Sequence, residues 1–213
     1  MLKKAVESVL NQTFQDFELI IIDDNSTDPE QLAYLRDIEQ YYRQVVVFYA
    51  DLEEEDRLKT VRYATNINYG LKVALGEYVT YLCDDDYFLP ERLEKMVRFL
   101  DENPDKSVVF GNQRTVYIKP DGTEEEGAVR EHKEALDNAD CQVDHSSVMH
   151  RRACYLKVGG WDDSPEHWGH ADGVYWKKLG EAGYKFYPLG EVTDVHVYHD
   201  GSWTKKVGEM AQA

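Results

Sequence analysis

The sequence predicts an α/β protein with a mostly parallel central sheet flanked by helices, and three observations carry that prediction. Residues 17–22 (FELIII) are an apolar run of strand length, interrupted only by Glu18, the pattern of a strand buried on both faces. Residues 45–49 (VVVFY) repeat it, and residues 77–82 (EYVTYL) are rich in β-branched and aromatic side chains. Segments with helical apolar spacing separate the three, and strand–helix alternation is the sequence form of a parallel sheet.

The elements follow in order. Residues 2–11 read as an amphipathic helix with Leu2, Ala5, Val6, Val9 and Leu10 on one face. Strand 17–22 leads through the polar loop DDNSTD (23–28) into helix 29–41, which Asp28 before Pro29 is suited to cap. Strand 45–49, an acidic loop at 51–56 and helix 58–75 come next. Strand 77–82 runs straight into Asp84, Asp85 and Asp86, and Pro90 opens a helix that Asn103-Pro104 stops. In the second half, residues 107–118 read as a long strand and residues 119–127 as a solvated hairpin around the turn KPDG. Residues 123–140 are acidic and weakly patterned, and a loop with a short helix is expected there. Then follow strand 146–150, helix 151–158, a tight turn at 159–162, helix 171–182 closed by Gly183, short strands 185–187 and 192–198, and a frayed tail at 205–213.

Composition narrows the function. At 213 residues the chain fits one domain with a sizeable core. A net charge of −17 argues against nucleic acid and against docking on an anionic membrane through a basic patch. Cys83, Cys141 and Cys154 show no paired spacing, which points to reduced thiols in a cytoplasmic setting and away from zinc. No apolar run approaches transmembrane length, and the first residues lack a signal-peptide pattern.

The aspartate triplet carries the chemistry. Carboxylates crowded at a strand's C-terminal end repel one another, and a divalent cation relieves that repulsion. Hard oxygen ligands suit Mg²⁺ or Mn²⁺, which keep open positions for phosphate oxygens. The same triplet also suits a solvated acidic turn that caps the next helix. In α/β sheets ligands bind beyond the carboxyl ends of the strands. Asp24 and Asp85 both lie there, so one crevice is expected to hold them.

Four stretches carry a family resemblance: AVESVLNQTFQDFELIIIDDNSTD (5–28), GEYVTYLCDDDYFLPERLEKMVRFLDENPDKSVV (76–109), VDHSSVMHRR (143–152) and WDDSPEHWGHADGVYWKKL (161–179). Together they resemble the inverting glycosyltransferases of family 2, which have the GT-A fold, over residues 1 to about 203. The last two stretches resemble a narrower spore-coat polysaccharide group within that family. The resemblance implies one glycosyltransferase domain over 1–213, with a nucleotide-sugar half at 1–104 and an acceptor half at 105–204. It implies that Asp24 contacts the nucleotide base, that Arg62 lies near the base or diphosphate, and that Asp84 contacts the ribose. Asp85 is implied as the metal ligand, with Asp86 acting through water and His199 a further candidate. Asp172 is implied as the general base. Asp144 and His145 fall in the acceptor half and are candidates for shaping that pocket. The implied donor is a UDP- or dTDP-sugar and the implied acceptor a glycan.

Three departures from the family pattern matter. A first apolar strand, central to the usual sheet, is expected and is missing from the sequence given. Cys83 stands where the acidic motif usually has its first Asp, and a packing role is expected for it. Ala171 stands where a Glu usually precedes the base, so Asp172 must act alone. Each assignment has a plainer counterpart: Asp24 or Asp172 as a helix cap, Arg62 as a surface charge, His199 as an ordinary histidine, and Trp161 and Trp168 as core rather than sugar-stacking residues. Two other functions stay open at this point. One is a catalytically silent nucleotide- or glycan-binding module. The other is a nucleotidyltransferase, which would want a Gly-rich basic loop after its first strand.

Overall fold

The computed structural model of the chain describes residues 1–51 and 56–200, so most of the expected acidic loop and all of the expected tail lie outside the described residues. Helix α1 (Leu2–Leu10) buries Ala5, Val6 and Val9. Strand β1 (Leu19–Asp23) pairs in parallel with β2 (Val45–Tyr49). Between them runs α2 (Pro29–Tyr41), with Pro29 in its first turn and Asp28 accepting a bond from the Glu30 amide. The expected cap is therefore the observed one. Helix α3 (Arg62–Val73) starts four residues later than its apolar spacing suggested, and β3 (Tyr78–Thr80) is shorter than expected. A short β4 (Tyr87–Phe88) follows the triplet, then α4 (Arg92–Glu102). The second half contains β5 (Val108–Ile118), β6 (Glu124–Arg130), β7 (Val148–Arg151), α5 (Arg152–Val158), α6 (Ala171–Glu181) and β8 (Phe186–Tyr198).

The α/β architecture with a helix-flanked sheet holds, but the sheet is mixed rather than mostly parallel. Strands β1 and β2 form one parallel pair, while the larger sheet runs β3-β7-β5-β8-β4 with β6 added on β5. In it only β5–β8 is parallel; β3–β7, β4–β8, β5–β6 and β5–β7 are antiparallel. The reason is connection length. A parallel partner needs a long crossover, which α5 and α6 supply on the way to β8, whereas β5 and β6 are joined by a tight turn that permits only an antiparallel return. Among the described residues β1 and β3 are not paired, so the sheet is interrupted in the middle of the expected parallel run. The Glu18 carboxylate bridges the gap at one end, accepting bonds from the amides of Leu75 at 2.6 Å and Gly76 at 2.8 Å.

Two further expectations change. The expected hairpin around residues 119–127 is found, and its second arm runs on as a strand over residues 124–130, where a loop was expected beyond the turn. EEEGAVR lies almost wholly exposed on the sheet edge, so no burial imposes an alternation that sequence could reveal. Its acidic side chains meet Lys4, Arg114 and Lys119, charges of the kind that discourage edge-to-edge association. The two short strands near the end are one strand, β8, whose pairing with β5 shifts register between Pro188 and Val192. Pro188 cannot donate to the ladder, and Gly190 takes φ +81°, so an irregularity there keeps one strand where sequence suggested two.

Alternation along the central strands sets the core. Val108 and Phe110 of β5 and Val148 of β7 face Val61, Ala64 and Leu71 of α3, Cys154 of α5, and Tyr175, Trp176 and Leu179 of α6. Val109 and Met149 face the other way, onto Leu93, Met96 and Leu100 of α4 and Val9 of α1. Trp161 is 4% exposed and stacks on Tyr175, so it belongs to the core and not to a sugar platform.

His150 on β7 is fully buried, with Nε2 2.6 Å from Tyr81 Oη and Nδ1 2.8 Å from the Arg151 carbonyl. The carbonyl only accepts, so Nδ1 carries the proton and Nε2 accepts from the phenol, which fixes a neutral ring. Burial pushes its pKa down to about 4. The unfolded chain takes up a proton below about pH 6.5 while the folded chain does not. Stability is therefore full above that pH and falls as pH drops toward 4, by about 3 kcal/mol from this residue alone. Urea midpoints measured at pH 7.5 and 4.5 test this: the acid loss should shrink markedly in His150→Phe.

Candidate active site

Asp24, the first residue past β1, is already engaged. Its carboxylate accepts from Arg62 Nε at 3.1 Å and Nη2 at 2.5 Å, from Asn66 Nδ2 at 3.1 Å, and from Arg57 Nη1 at 3.2 Å. Arg57 Nη2 also donates to the Asp24 carbonyl at 2.8 Å. Burial pushes the Asp24 carboxyl up, but bonds from Arg62 and Asn66 and the charge of Arg57 outweigh it and hold the carboxyl below its usual value. Asp24 and Arg62 are thus brought together as the sequence suggests. Arg57 and Asn66 are members that sequence reasoning missed; Asn66 sits one helical turn after Arg62, the only signal that could have found it. Asp24→Ala is expected to cost about 1 kcal/mol, or roughly 2–4 °C in Tm, because two half-buried guanidinium groups lose their partner. Differential scanning calorimetry checks this, and an unchanged Tm would show that the pairs add nothing to stability.

The three aspartates separate into three environments. Asp84 is exposed. Asp85 is half-buried, with Oδ2 3.3 Å from His199 Nε2. Burial and the neighbouring charges of Asp86 and Asp84 hold its carboxyl above the usual range. That is the electrostatic situation a cation relieves, and the carboxylate is a hard oxygen donor that fits Mn²⁺ or Mg²⁺, with the imidazole a softer second donor. Asp86 is 2% exposed and turned inward. It accepts from Ser146 Oγ at 3.0 Å and the Val197 amide at 3.0 Å, and pairs with His196 Nδ1 at 3.0 Å. Those bonds occupy both its oxygens and tie the triplet to β8, so the geometry gives Asp86 an anchoring task rather than one at a cation.

Cys83, Asp144 and Asp172 converge on His145. Asp144 caps a short 3₁₀ turn, His145–Ser147, by accepting from the Ser146 amide at 2.8 Å. His145 lies with Nε2 3.1 Å from Cys83 Sγ. Its Nδ1 faces Asp172 Oδ2 at 3.7 Å and Asp144 Oδ1 at 3.9 Å. Cys83 therefore does more than pack: it joins the acidic loop to the short turn that precedes β7. Burial pushes its thiol up to about 11, so it is neutral near pH 7. Burial disfavours charge on His145, but its neighbours prevail and hold it well above its ordinary value; with Cys83 neutral, the carboxylates of Asp144 and Asp172 are what favour the imidazolium.

Asp172 occupies the second position of α6, whose N-cap His170 makes no side-chain capping bond. It is not the N-cap residue, yet its Oδ1 accepts from the first-turn amide of Gly173 at 2.9 Å, while its Oδ2 is turned to His145. The first amide of α6, that of Ala171, donates instead to Tyr63 Oη at 2.9 Å. Tyr63 is the neighbour of Arg62, so consecutive residues at the start of α3 hold Asp24 on one side and α6 on the other. Thr65 Oγ1 adds a bond to Asp163 Oδ2 at 2.9 Å, and the Asn68 side chain donates to the Trp161 carbonyl at 2.9 Å. Sequence reasoning missed Tyr63, because nothing local marks a tyrosine whose partner is 108 residues away.

A family model described as Glycosyl transferase family 2 matches residues 1–154. Protein CgeD of Bacillus subtilis (strain 168) is 41% identical over 201 residues, covering 91% of this chain and 46% of CgeD. EpsE of the same organism is 30% identical over 200 residues, covering 89% of this chain and 66% of EpsE. The chain thus spans about half to two thirds of the length of these relatives. The crystal structure of S. aureus TarS residues 1–349 in complex with UDP-GlcNAc superposes with a TM-score of 0.73 at 17% identity, covering 96% of this chain and 56% of that one, a likeness of fold. Among the described residues, no helix is long and apolar enough to cross a membrane.

Proposed function

The chain belongs to glycosyl transferase family 2, and from that premise we propose that it moves a sugar from a nucleotide diphosphate sugar to a hydroxyl of a polysaccharide or other glycan, with inversion at the anomeric carbon. One observation supports this above the others: the contact chain Cys83–His145–Asp172 brings the acidic loop after β3 against the start of α6. A leaving group held at the acidic loop and a base at α6 are thereby set close to one another. Residues 1–104 serve as the donor half and residues 105–204 as the acceptor half of one domain.

In this reading the acceptor hydroxyl gives its proton to Asp172 as its oxygen attacks the anomeric carbon. Attack opposite the leaving diphosphate inverts that carbon, and no second carboxylate is needed for a covalent intermediate. Asp85 and His199 would hold the divalent cation, Mn²⁺ or Mg²⁺, which when bound would neutralise charge on the departing diphosphate. Asp24 and Arg62 face the base and Asp84 the ribose of a UDP- or dTDP-sugar. For Asp24 to read a base, part of its bonding to Arg57, Arg62 and Asn66 must be exchanged for bonds to the nucleotide. The three free cysteines suit a reducing, cytoplasmic setting.

Calorimetric titration with UDP and dTDP, with Mn²⁺ or with EDTA, tests the donor side. Release of UDP from UDP-GlcNAc, the sugar nucleotide in the TarS complex, tests turnover when glycan acceptors are added. Metal-dependent UDP binding with acceptor-stimulated release supports transfer. Binding with no release under any acceptor would favour the silent binding module instead.

A further inference from the structure

Tyr63 and His145 meet Asp172 from two directions. The Tyr63 ring stacks on the His145 ring with centroids 5.8 Å apart and planes 16° from parallel. Trp161 meets His145 edge-on at 5.9 Å and Tyr63 edge-on at 6.2 Å, which walls the pair in. Cys83 Sγ at Nε2 fixes the rotation of the imidazole, so Nδ1 has to face Asp172 and Asp144. Tyr63 Oη meanwhile accepts the first amide of α6, one of the donors a helix leaves without an internal partner. Burial and the charge of Asp172 push the phenol up to about 12, so it stays neutral at working pH.

We propose that Tyr63 and His145 are positioning residues for Asp172: the phenol seats the first turn of α6, and the imidazole faces the carboxylate, so that its oxygens are held toward the acceptor hydroxyl. The proposal rests on the reading of Asp172 as the base. It explains why a buried imidazole, itself held by a thiol, and a phenol gather at the start of α6, where Asp172 keeps one oxygen on the Gly173 amide and turns the other to His145. It also explains how Asp172 acts with Ala171, not a second carboxylate, before it. Small displacements of a catalytic group are costly, because proton transfer in the transition state needs both distance and direction. Since Arg62 adjoins Tyr63 on α3, the turn that grips Asp24 also sets the base.

The test compares Tyr63→Phe, His145→Gln, Asp172→Asn and the double variant Tyr63→Phe/Asp172→Asn. Turnover is read as UDP release from UDP-GlcNAc with Mn²⁺, and nucleotide affinity by titration with UDP. Tyr63→Phe keeps the ring stack and loses the phenol's bonding to the backbone of Ala171 and Asp172. Tyr63→Phe and His145→Gln should each lower kcat about 10-fold with KM for UDP-GlcNAc and Kd for UDP unchanged. Tyr63→Phe should add nothing further to Asp172→Asn, because a residue acting through another is not additive with it. Parental kcat in both single variants while Asp172→Asn is slow, or a fully additive loss in the double variant, overturns the clamp and leaves the base reading intact. Parental turnover in Asp172→Asn overturns the base reading and the clamp with it. A spectroscopic arm needs no turnover: ¹⁵N resonances of the His145 ring should move in Asp172→Asn, and the Ala171 amide should move in Tyr63→Phe. A His145 ring unmoved by Asp172→Asn overturns the proposal.

Discussion

Asp172→Asn is expected to slow sugar transfer by about 10²–10⁴-fold while leaving Mn²⁺-dependent UDP affinity at the parental value. The amide keeps the shape of the carboxylate and can still lie against His145, but it cannot take a proton. The contacts of Asp172, to His145 and the Gly173 amide, are separate from those that Arg62 makes to Asp24 and His199 to Asp85, so ground-state binding of the nucleotide should not change. The loss should appear equally in kcat and in kcat/KM, the mark of an interaction made only in the transition state. No carboxylate precedes Asp172, since position 171 is Ala. Asp144 is the other carboxylate facing His145 Nδ1, and like Asp172 it has one oxygen on a backbone amide, so the residual rate of Asp172→Asn measures what Asp144 can supply. If Asp172→Asn transfers at near the parental rate, the base lies elsewhere, and Asp144, Asp162 and Asp163 become the residues to vary.

The legible parts of this chain are those whose signal is local. The strand at residues 45–49 and the Asp28-Pro29 helix start are read from neighbours in sequence and are found where expected, although the strand buries one face only, with Val46 and Tyr49 exposed. The acidic triplet is also read locally, and the structure sets Asp85 3.3 Å from His199, a contact that sequence did not state. What stayed hidden depends on partners far along the chain. Strand β6 has no buried face to betray it. The mixed pairing of the larger sheet follows from which connections are long, which patterning does not state. Asp86 looked like its neighbours in sequence, yet Ser146, His196 and Val197 draw it inward. Cys83 read as a packing residue because its partner, His145, is 62 residues away. Tyr63 carried no sequence signal at all. The site is thus half local motif and half tertiary arrangement, and the second half is what joins the acidic loop to α6.

The contrast between Asp85 and Asp86 gives the second large effect. Asp85→Ala is expected to abolish metal-dependent UDP binding, and Asp85→Asn to be nearly as severe, because the amide keeps the size of the side chain but not its charge. Even the outer partners of metal ligands are worth about 10–100-fold in affinity, so a ligand itself should cost more than that. Stability should move the other way. Burial and the charges of Asp86 and Asp84 hold the Asp85 carboxyl above the usual range, so near pH 7 its ionised form is a strain on the metal-free fold. Removing that charge should leave Tm unchanged or raise it, the pattern of a residue kept for function at some expense to stability. Asp86→Asn should do the reverse. Its oxygens serve Ser146, His196 and the Val197 amide at nearly complete burial, so the acidic loop loses its tie to β8 and Tm falls. Calorimetric titration of UDP with Mn²⁺ or with EDTA, beside melting curves for all three variants, separates the two roles. Metal-dependent affinity that survives in both Asp85 variants would remove Asp85 from the cation site and leave the acidic loop as a solvated turn.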